Sequence, residues 1–290
     1  MEADLLYDSK CTLAESPQWH EKLRSFLWVD IEKGTLYQFC TREEMVRTWT
    51  FPHRLTMVME GANDQLILAL DAKLARFDLQ TENLEWLIDI EKGLPDNRCN
   101  DGACDAKGRL WVGTMCTQFT DNAGALYMVD NDLSLQQKLY PVSISNGISW
   151  SLDHKTMFYI DSPTGKIQAF RFDLSTGNIE YKRNVVNIPK EMGVPDGMCT
   201  DENGMLWVAH YGGFGVHQWH PETGLLLDKI DVPAPNVTSC AFGGQNGNQL
   251  LITTAKENLG KEQLERYPES GSVFIAKMKV KGAGVYKCGF

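Results

Sequence analysis

Four oxygen-bearing side chains of this chain share one register. Glu15 lies 13 residues before Trp28, Asn100 lies 11 before Trp111, Asn146 lies 12 before Phe158 and Asp196 lies 11 before Trp207. Thr56 and Ser239 hold the matching places in two further segments. Two carboxylates and two amide oxygens, with no His or Cys, make a hard donor set that suits Ca²⁺, Mg²⁺ or Mn²⁺ and is less typical of zinc. Carboxylates crowded into a narrow channel repel one another unless a cation lies between them. Few side-chain ligands also leave room for water and a bound molecule. Taken singly, Asn100-Asp101-Gly102, Asn146-Gly147 and Asp196-Gly197 read as turn dipeptides. Their common register favours a shared site, and turn chemistry does not account for Glu15 at all.

The register exists because the chain repeats every forty to fifty residues. Each repeat has a polar residue, about twelve intervening positions, and then a strand such as LRSFLWVD (23–30), DQLILALD (64–71), GRLWVGT (108–114), KTMFYID (155–161), GMLWVAH (204–210) or NQLLITT (248–254). A third run follows near a glycine (GTLYQFC, AKLARFD, GALYMVD, GKIQAFRFD, GFGVHQWH, GSVFIAKM), and a fourth follows in five of the six repeats. Period-two alternation with aromatic and β-branched enrichment makes these strands. Four antiparallel strands per repeat form a propeller blade, so the expected fold is all-β: a six-bladed β-propeller forming a single domain over residues 1–290. The first strand of each blade lies at the axis, which brings equivalent residues together. The sixth blade lacks its outer strand; pairing the N-terminal ADLLYD (3–8) and the C-terminal GVYKCGF (284–290) in that blade would close the ring through the chain termini. KENLGKEQLERYP (256–268) is the one helical excursion.

Composition narrows the partners. A net charge of −10 without a basic cluster argues against nucleic acid or an anionic membrane. The first ten residues lack a basic and apolar leader, and no apolar run approaches the roughly 20 residues of a bilayer span. The eight cysteines show no metal-ligand spacing, so they read as reduced thiols of a cytoplasmic protein. His217 and His220 read as surface or packing residues, and Gly-Gly-Phe-Gly (212–215) as a turn between strands.

AESPQW (14–19), NRCNDGACDAKGRLWVGTM (97–115), SNGISWSLDHKTMFYIDS (145–162), VPDGMCTDENGMLWVA (194–209) and VTSCAFGG (237–244), in this order, resemble the gluconolactonase / regucalcin / luciferin-regenerating-enzyme family over nearly the whole chain. The resemblance implies one divalent metal held by Glu15, Asn146 and Asp196, with Ca²⁺ first and Mg²⁺, Mn²⁺ or Zn²⁺ as alternatives. It implies that Arg98 and Asn100 bind substrate oxygens and that Asp101 lies at the site as a proton carrier. Gln118 falls where some members carry Glu against a sugar hydroxyl, so sugar preference is open. Ala14 stands where Gly is common in the family.

The expected activity is hydrolysis of a sugar lactone of the gluconolactone or pentonolactone type to the aldonic acid. Metal-activated water would attack, Asp196 would act as base, and Arg98 with Asn100 would hold ring hydroxyls or the oxyanion. The expected partner is a small-molecule sugar lactone, with no nucleic acid or membrane, and a monomer or weak oligomer. Alternatives are hydrolysis of other esters or organophosphates, a calcium-binding regulatory protein, and an interaction scaffold. Four convergent donors argue against the last.

Overall fold

The computed structural model covers residues 1–290 and is nearly all strand, with 24 strands and a single α-helix, α1 (Lys261–Arg266). Strand β1 (Asp4–Tyr7) is set aside by the chain for the last sheet. Four sheets then follow, each of four antiparallel strands in sequential order. They comprise β2 (Ala14–His20), β3 (Ser25–Asp30), β4 (Thr35–Cys40) and β5 (Met45–Thr50); then β6 (Leu55–Glu60), β7 (Leu66–Leu70), β8 (Lys73–Phe77) and β9 (Leu84–Asp89). The third has β10 (Asn97–Cys104), β11 (Leu110–Cys116), β12 (Gly124–Val129) and β13 (Leu135–Val142); the fourth has β14 (Ser145–Trp150), β15 (Thr156–Asp161), β16 (Lys166–Asp173) and β17 (Asn178–Asn187). A fifth, eight-stranded sheet has two halves joined only by the pair Tyr211 and Asn236. One half is β18 (Val194–Thr200), β19 (Leu206–Tyr211), β20 (Gly215–Trp219) and β21 (Leu226–Asp231); the other is β22 (Asn236–Gly243), β23 (Gln249–Ala255), β24 (Val273–Lys277) and β1. No helix is long and apolar enough to cross a membrane.

The second strands read as unbroken apolar runs because both of their faces are covered. Successive side chains of a strand point to opposite faces. In β11, Leu110 and Val112 pack with Met57, Ile67 and Ala69, while Trp111 packs with Ile148, Met157 and Phe172. In β19, Leu206 and Val208 join Phe158 and Ile160, while Trp207 and Ala209 join Leu250 and Phe274. In β3, Leu27 and Val29 meet Leu66 and Leu68, while Phe26 and Trp28 meet Leu251 and Val273 near the other end of the chain. Each fully buried Leu, Ile or Val contributes about 1.5–3 kcal/mol relative to exposure, so the strong preference for these faces sets the register.

Buried aspartates in the turns between first and second strands fix that register further. Asp105 accepts from the Arg109 Nε at 2.7 Å and the Trp111 Nε1 at 3.0 Å. Asp201 does the same for the Trp207 Nε1 at 2.9 Å, and its other oxygen accepts the Asn203 and Met205 amides at 2.9 Å. These are Asx turns with a side-chain anchor.

The first strands β2, β6, β10, β14, β18 and β22 each touch the next, and β22 touches β2. Every one is interrupted near its start by a bulge, between Glu15 and Gln18, Leu55 and Met57, Cys99 and Gly102, Asn146 and Ile148, Pro195 and Met198, and Val237 and Ser239. The Asx-Gly dipeptides are therefore bulges inside strands and not reversals of the chain. Gly197 is glycine because a Cβ there would lie 2.1 Å from Ser239 Oγ on the adjacent first strand.

The two termini part company. The N-terminal β1 pairs with β24 and completes the last sheet, as expected for one of the two ends. The C-terminal residues 284–290 form no strand, contrary to the expected pairing of both ends. They run instead across the finishing ends of the first strands, because Gly282 and Gly284 break the alternation and the β24 edge is already taken by β1.

Candidate functional site

The bulges turn polar residues out of the ladder at the starting ends of the first strands, a placement typical of bulges beside functional sites. Glu15, Arg98, Asn146 and Asp196 are all at most 9% exposed; charged groups are almost never this buried without partners. Four different sheets deliver them.

A chain of hydrogen bonds links three of those sheets. An Arg98 guanidinium N–H donates to Asn100 Oδ1 at 2.6 Å and to the Cys99 carbonyl at 3.0 Å. Asn100 Nδ2 donates to Asn146 Oδ1 at 3.0 Å and to the Ser145 carbonyl at 2.8 Å. Asn146 Nδ2 donates to Ser162 Oγ at 2.8 Å, and Ser162 donates to the Pro195 carbonyl at 2.7 Å, beside Asp196. Both ends of the Asn100 amide are thus engaged in orienting Arg98 and Asn146. Asn146 Oδ1 keeps a second lone pair.

The carboxylates lack such partners. Glu15 accepts only the Ser16 amide at 3.1 Å, and Ser16 sits at a positive φ of 50°. Burial first, and the Asp101 charge second, push the Glu15 carboxyl up to about 8. Burial, then Glu15, then Asp101, hold Asp196 well above the usual carboxylate range. Burial raises Asp101 to about 6, against the Gly102 amide that donates to it at 2.7 Å. Arg98 opposes the charges of Glu15 and Asp196, and burial lowers its own guanidinium. Like charges buried around one guanidinium need either protons or a further cation.

No three side chains drawn from His, Cys, Asp and Glu gather closely enough to hold a metal by themselves. The set here is mixed, two carboxylates and an amide oxygen from Glu15, Asp196 and Asn146. Its hard oxygens and uncompensated charge fit a divalent cation of the calcium or magnesium type.

Other residues fall elsewhere. Gln118 is exposed in the turn after β11. Thr56 is buried and turned to the Ala69 carbonyl at 3.4 Å, while Ser239 packs against Gly197. Asp101 lines a cavity of about 440 Å³ that opens toward the finishing ends of the first strands; Glu15, Arg98, Asn146 and Asp196 do not line it. His217 is buried and stacked on His210 with ring centroids 3.9 Å apart, a packing role, whereas His220 caps the turn after β20. Glu91 went unread in the sequence. It is buried and accepts from Asn97 Nδ2 at 2.8 Å, Thr114 Oγ1 at 2.8 Å and the Tyr127 hydroxyl at 3.1 Å, tying the strand that carries Arg98 to β11 and β12. A lone Glu in EKG (91–93) carries no periodic signal.

Comparison with known proteins supplies the remaining context. Residues 13–256 match the model of the SMP-30/Gluconolactonase/LRE-like region. Regucalcin of Oryctolagus cuniculus is 35% identical over 282 residues, covering 95% of this chain and 94% of the relative. Among solved structures, a luciferin-regenerating enzyme superposes with a TM-score of 0.92 at 28% identity, covering 97% of this chain and 96% of that one. A calcium-binding protein, regucalcin, from Agrobacterium tumefaciens has a TM-score of 0.92 at 24% identity, covering 99% and 97%, which bears on the fold alone.

Proposed function

Because this chain belongs to the SMP-30/Gluconolactonase/LRE-like family, we propose that it is a metal-dependent hydrolase that opens a sugar lactone to the aldonic acid. The carrying observation is the linked cluster of Arg98, Asn100 and Asn146 beside the buried carboxylates of Glu15 and Asp196. In this reading the four four-stranded sheets and the two halves of the fifth are the six blades of one closed propeller domain, with β1 as the closing strand. The six apolar clusters between consecutive sheets support it.

Glu15, Asn146 and Asp196 would hold the cation, with Ca²⁺ the first choice for an all-oxygen set. When bound, it supplies a Lewis acid that polarises the lactone carbonyl and makes water more acidic. Asp196 accepts the proton of the attacking water at a carboxylate oxygen. The water oxygen bonds to the carbonyl carbon, the ring C–O bond breaks, and the ring oxygen leaves as a hydroxyl after taking a proton. Asp101, whose charge acts on both Glu15 and Asp196, would pass that proton. The guanidinium of Arg98 donates to ring hydroxyls and to the developing oxyanion. Asn100 acts on both through its two hydrogen bonds, which hold Arg98 and Asn146 in place. Gln118 can offer an amide to a sugar hydroxyl from its exposed turn.

The test is proton release from glucono-1,5-lactone and several pentonolactones by metal-stripped protein, restoring one metal at a time. Turnover that returns with one divalent ion supports the reading. Tight Ca²⁺ binding with no turnover of any lactone replaces it by a calcium-binding regulatory role.

A further inference from the structure

The C-terminal segment forms a strap over the 440 Å³ cavity, whose lining includes Gly282 through Lys287 together with Trp19, Cys104 and Trp150. It is anchored in steps. The Ala283 amide donates to the Thr200 carbonyl at 3.0 Å, and the Tyr286 hydroxyl pairs with His154 Nε2 at 3.1 Å. The Cys288 amide donates to the Glu60 carbonyl at 2.8 Å, and the Gly289 amide to the Gly108 carbonyl at 2.9 Å. Phe290 ends the chain in the apolar cluster of Met59, Ile67 and Leu110. Gly289 permits this approach, since a Cβ there would lie 2.4 Å from Asn131 Oδ1. The last anchors bring the Cys288 Sγ to 2.9 Å from the Cys104 Sγ, on a first strand 184 residues away.

We propose that Cys104 and Cys288 form a redox-modified pair, oxidised by hydrogen peroxide to a disulfide that pins the strap across the cavity. With the strap docked Cys288 is 1% exposed and closed off from peroxide; Cys104 lines the cavity, but burial raises its thiol, which keeps it protonated and slow to react. Cys288 lies in a segment, residues 283–290, that joins no strand and is held by isolated backbone hydrogen bonds, where local release costs least. Once released, its thiolate attacks peroxide, the O–O bond breaks, and Cys288 becomes a sulfenic acid with loss of one water. The sulfenic acid is small enough to redock. The Cys104 sulfur then attacks the Cys288 sulfur, the S–O bond breaks, and a second water leaves. In sum, two thiols and one peroxide give one disulfide and two waters. Cys199 and Cys240 also approach, at 3.7 Å, but both lie within strands and neither belongs to a segment that can lift.

The experiment treats the full-length protein with equimolar peroxide, then counts free thiols and maps peptides without reduction. The expected result is loss of two of the eight thiols, a linked peptide joining Cys104 to Cys288, and a melting temperature higher by several degrees, reversed by dithiothreitol. The variant Cys288→Ser should keep all seven remaining thiols under the same treatment, and Cys104→Ser should stop at the Cys288 sulfenic acid, trapped by a dimedone-type reagent. A linkage between other cysteines, a Cys288 sulfinic acid without cross-link in the wild type, or no thiol loss overturns the proposal. The peptide map on the wild-type chain decides this even where a variant folds poorly.

Discussion

The two ends of the first strands pose opposite physical problems. At their starting ends, the buried carboxylates of Glu15 on β2 and Asp196 on β18 face the Arg98 guanidinium of β10, and burial first, then mutual repulsion, raises their proton affinity. At their finishing ends, Trp19, Ile148, Trp150 and Phe242 line an open cavity that a terminal strap covers with backbone hydrogen bonds and one buried phenylalanine. The first end gives up stability for charge convergence, while the second gains stability from a segment that takes no part in the proposed hydrolysis. Function concentrated at one end should therefore be separable from stability contributed at the other.

The largest effect expected is from Asp196→Asn. It should lower lactone turnover by about 10³-fold or more, since base and charge are lost together. Its melting temperature without metal should be unchanged or higher, because one like charge has gone. Wild-type turnover by this variant, or a collapsed fold, would break the comparison. Next is Glu91→Ala, which removes an acceptor shared by three donors and should cost about 3 kcal/mol, a fall of roughly 6–12 °C by thermal denaturation. Phe290→Ala at the other end should cost about 3 kcal/mol, a fall of roughly 6–12 °C, with kcat/KM within twofold of wild type in a steady-state assay. Loss of activity there would show the two ends to be coupled.

The smallest effect concerns pH. Burial holds His210 down at about 4, and burial together with His210 holds His217 at about 3. Both are neutral in the fold, whereas an unfolded histidine takes up a proton near pH 6.5. The unfolded chain therefore binds more protons between these values, so stability is complete above about pH 6.5 and falls as pH drops toward 4. His217→Phe should flatten that slope in melting curves recorded from pH 7 to 4.5. An identical slope in the variant would assign the acid sensitivity to other groups.

Much of this was legible beforehand, for reasons that differ by residue. The strand LWV in β11 and β19 was readable because a face buried on both sides leaves no polar positions. Asn146 and Asp196 were readable because equivalent bulges keep a constant distance from the next strand. The hydrogen bonds of Asn100 to Arg98 and Asn146 were not, since which groups an amide meets depends on what the adjacent sheet presents. Glu91 was invisible because its three donors come from β10, β11 and β12 and share no spacing.

The termini make the same point. ADLLYD and GVYKCGF both read as short alternating runs. Only one β24 edge is available, β1 occupies it, and the tail takes the next best burial, over the cavity and between Met59 and Leu110. By itself, then, the sequence determined the repeat, the strand order within each sheet and the register of Glu15, Asn100, Asn146 and Asp196, since all of these follow from local periodicity. Tertiary structure alone decided which carboxylates share a charge, which amides are already engaged, which terminus completes the last sheet and that Cys104 meets Cys288. Those outcomes depend on the free space and unpaired groups left by segments far apart in the chain, and no local pattern encodes that competition.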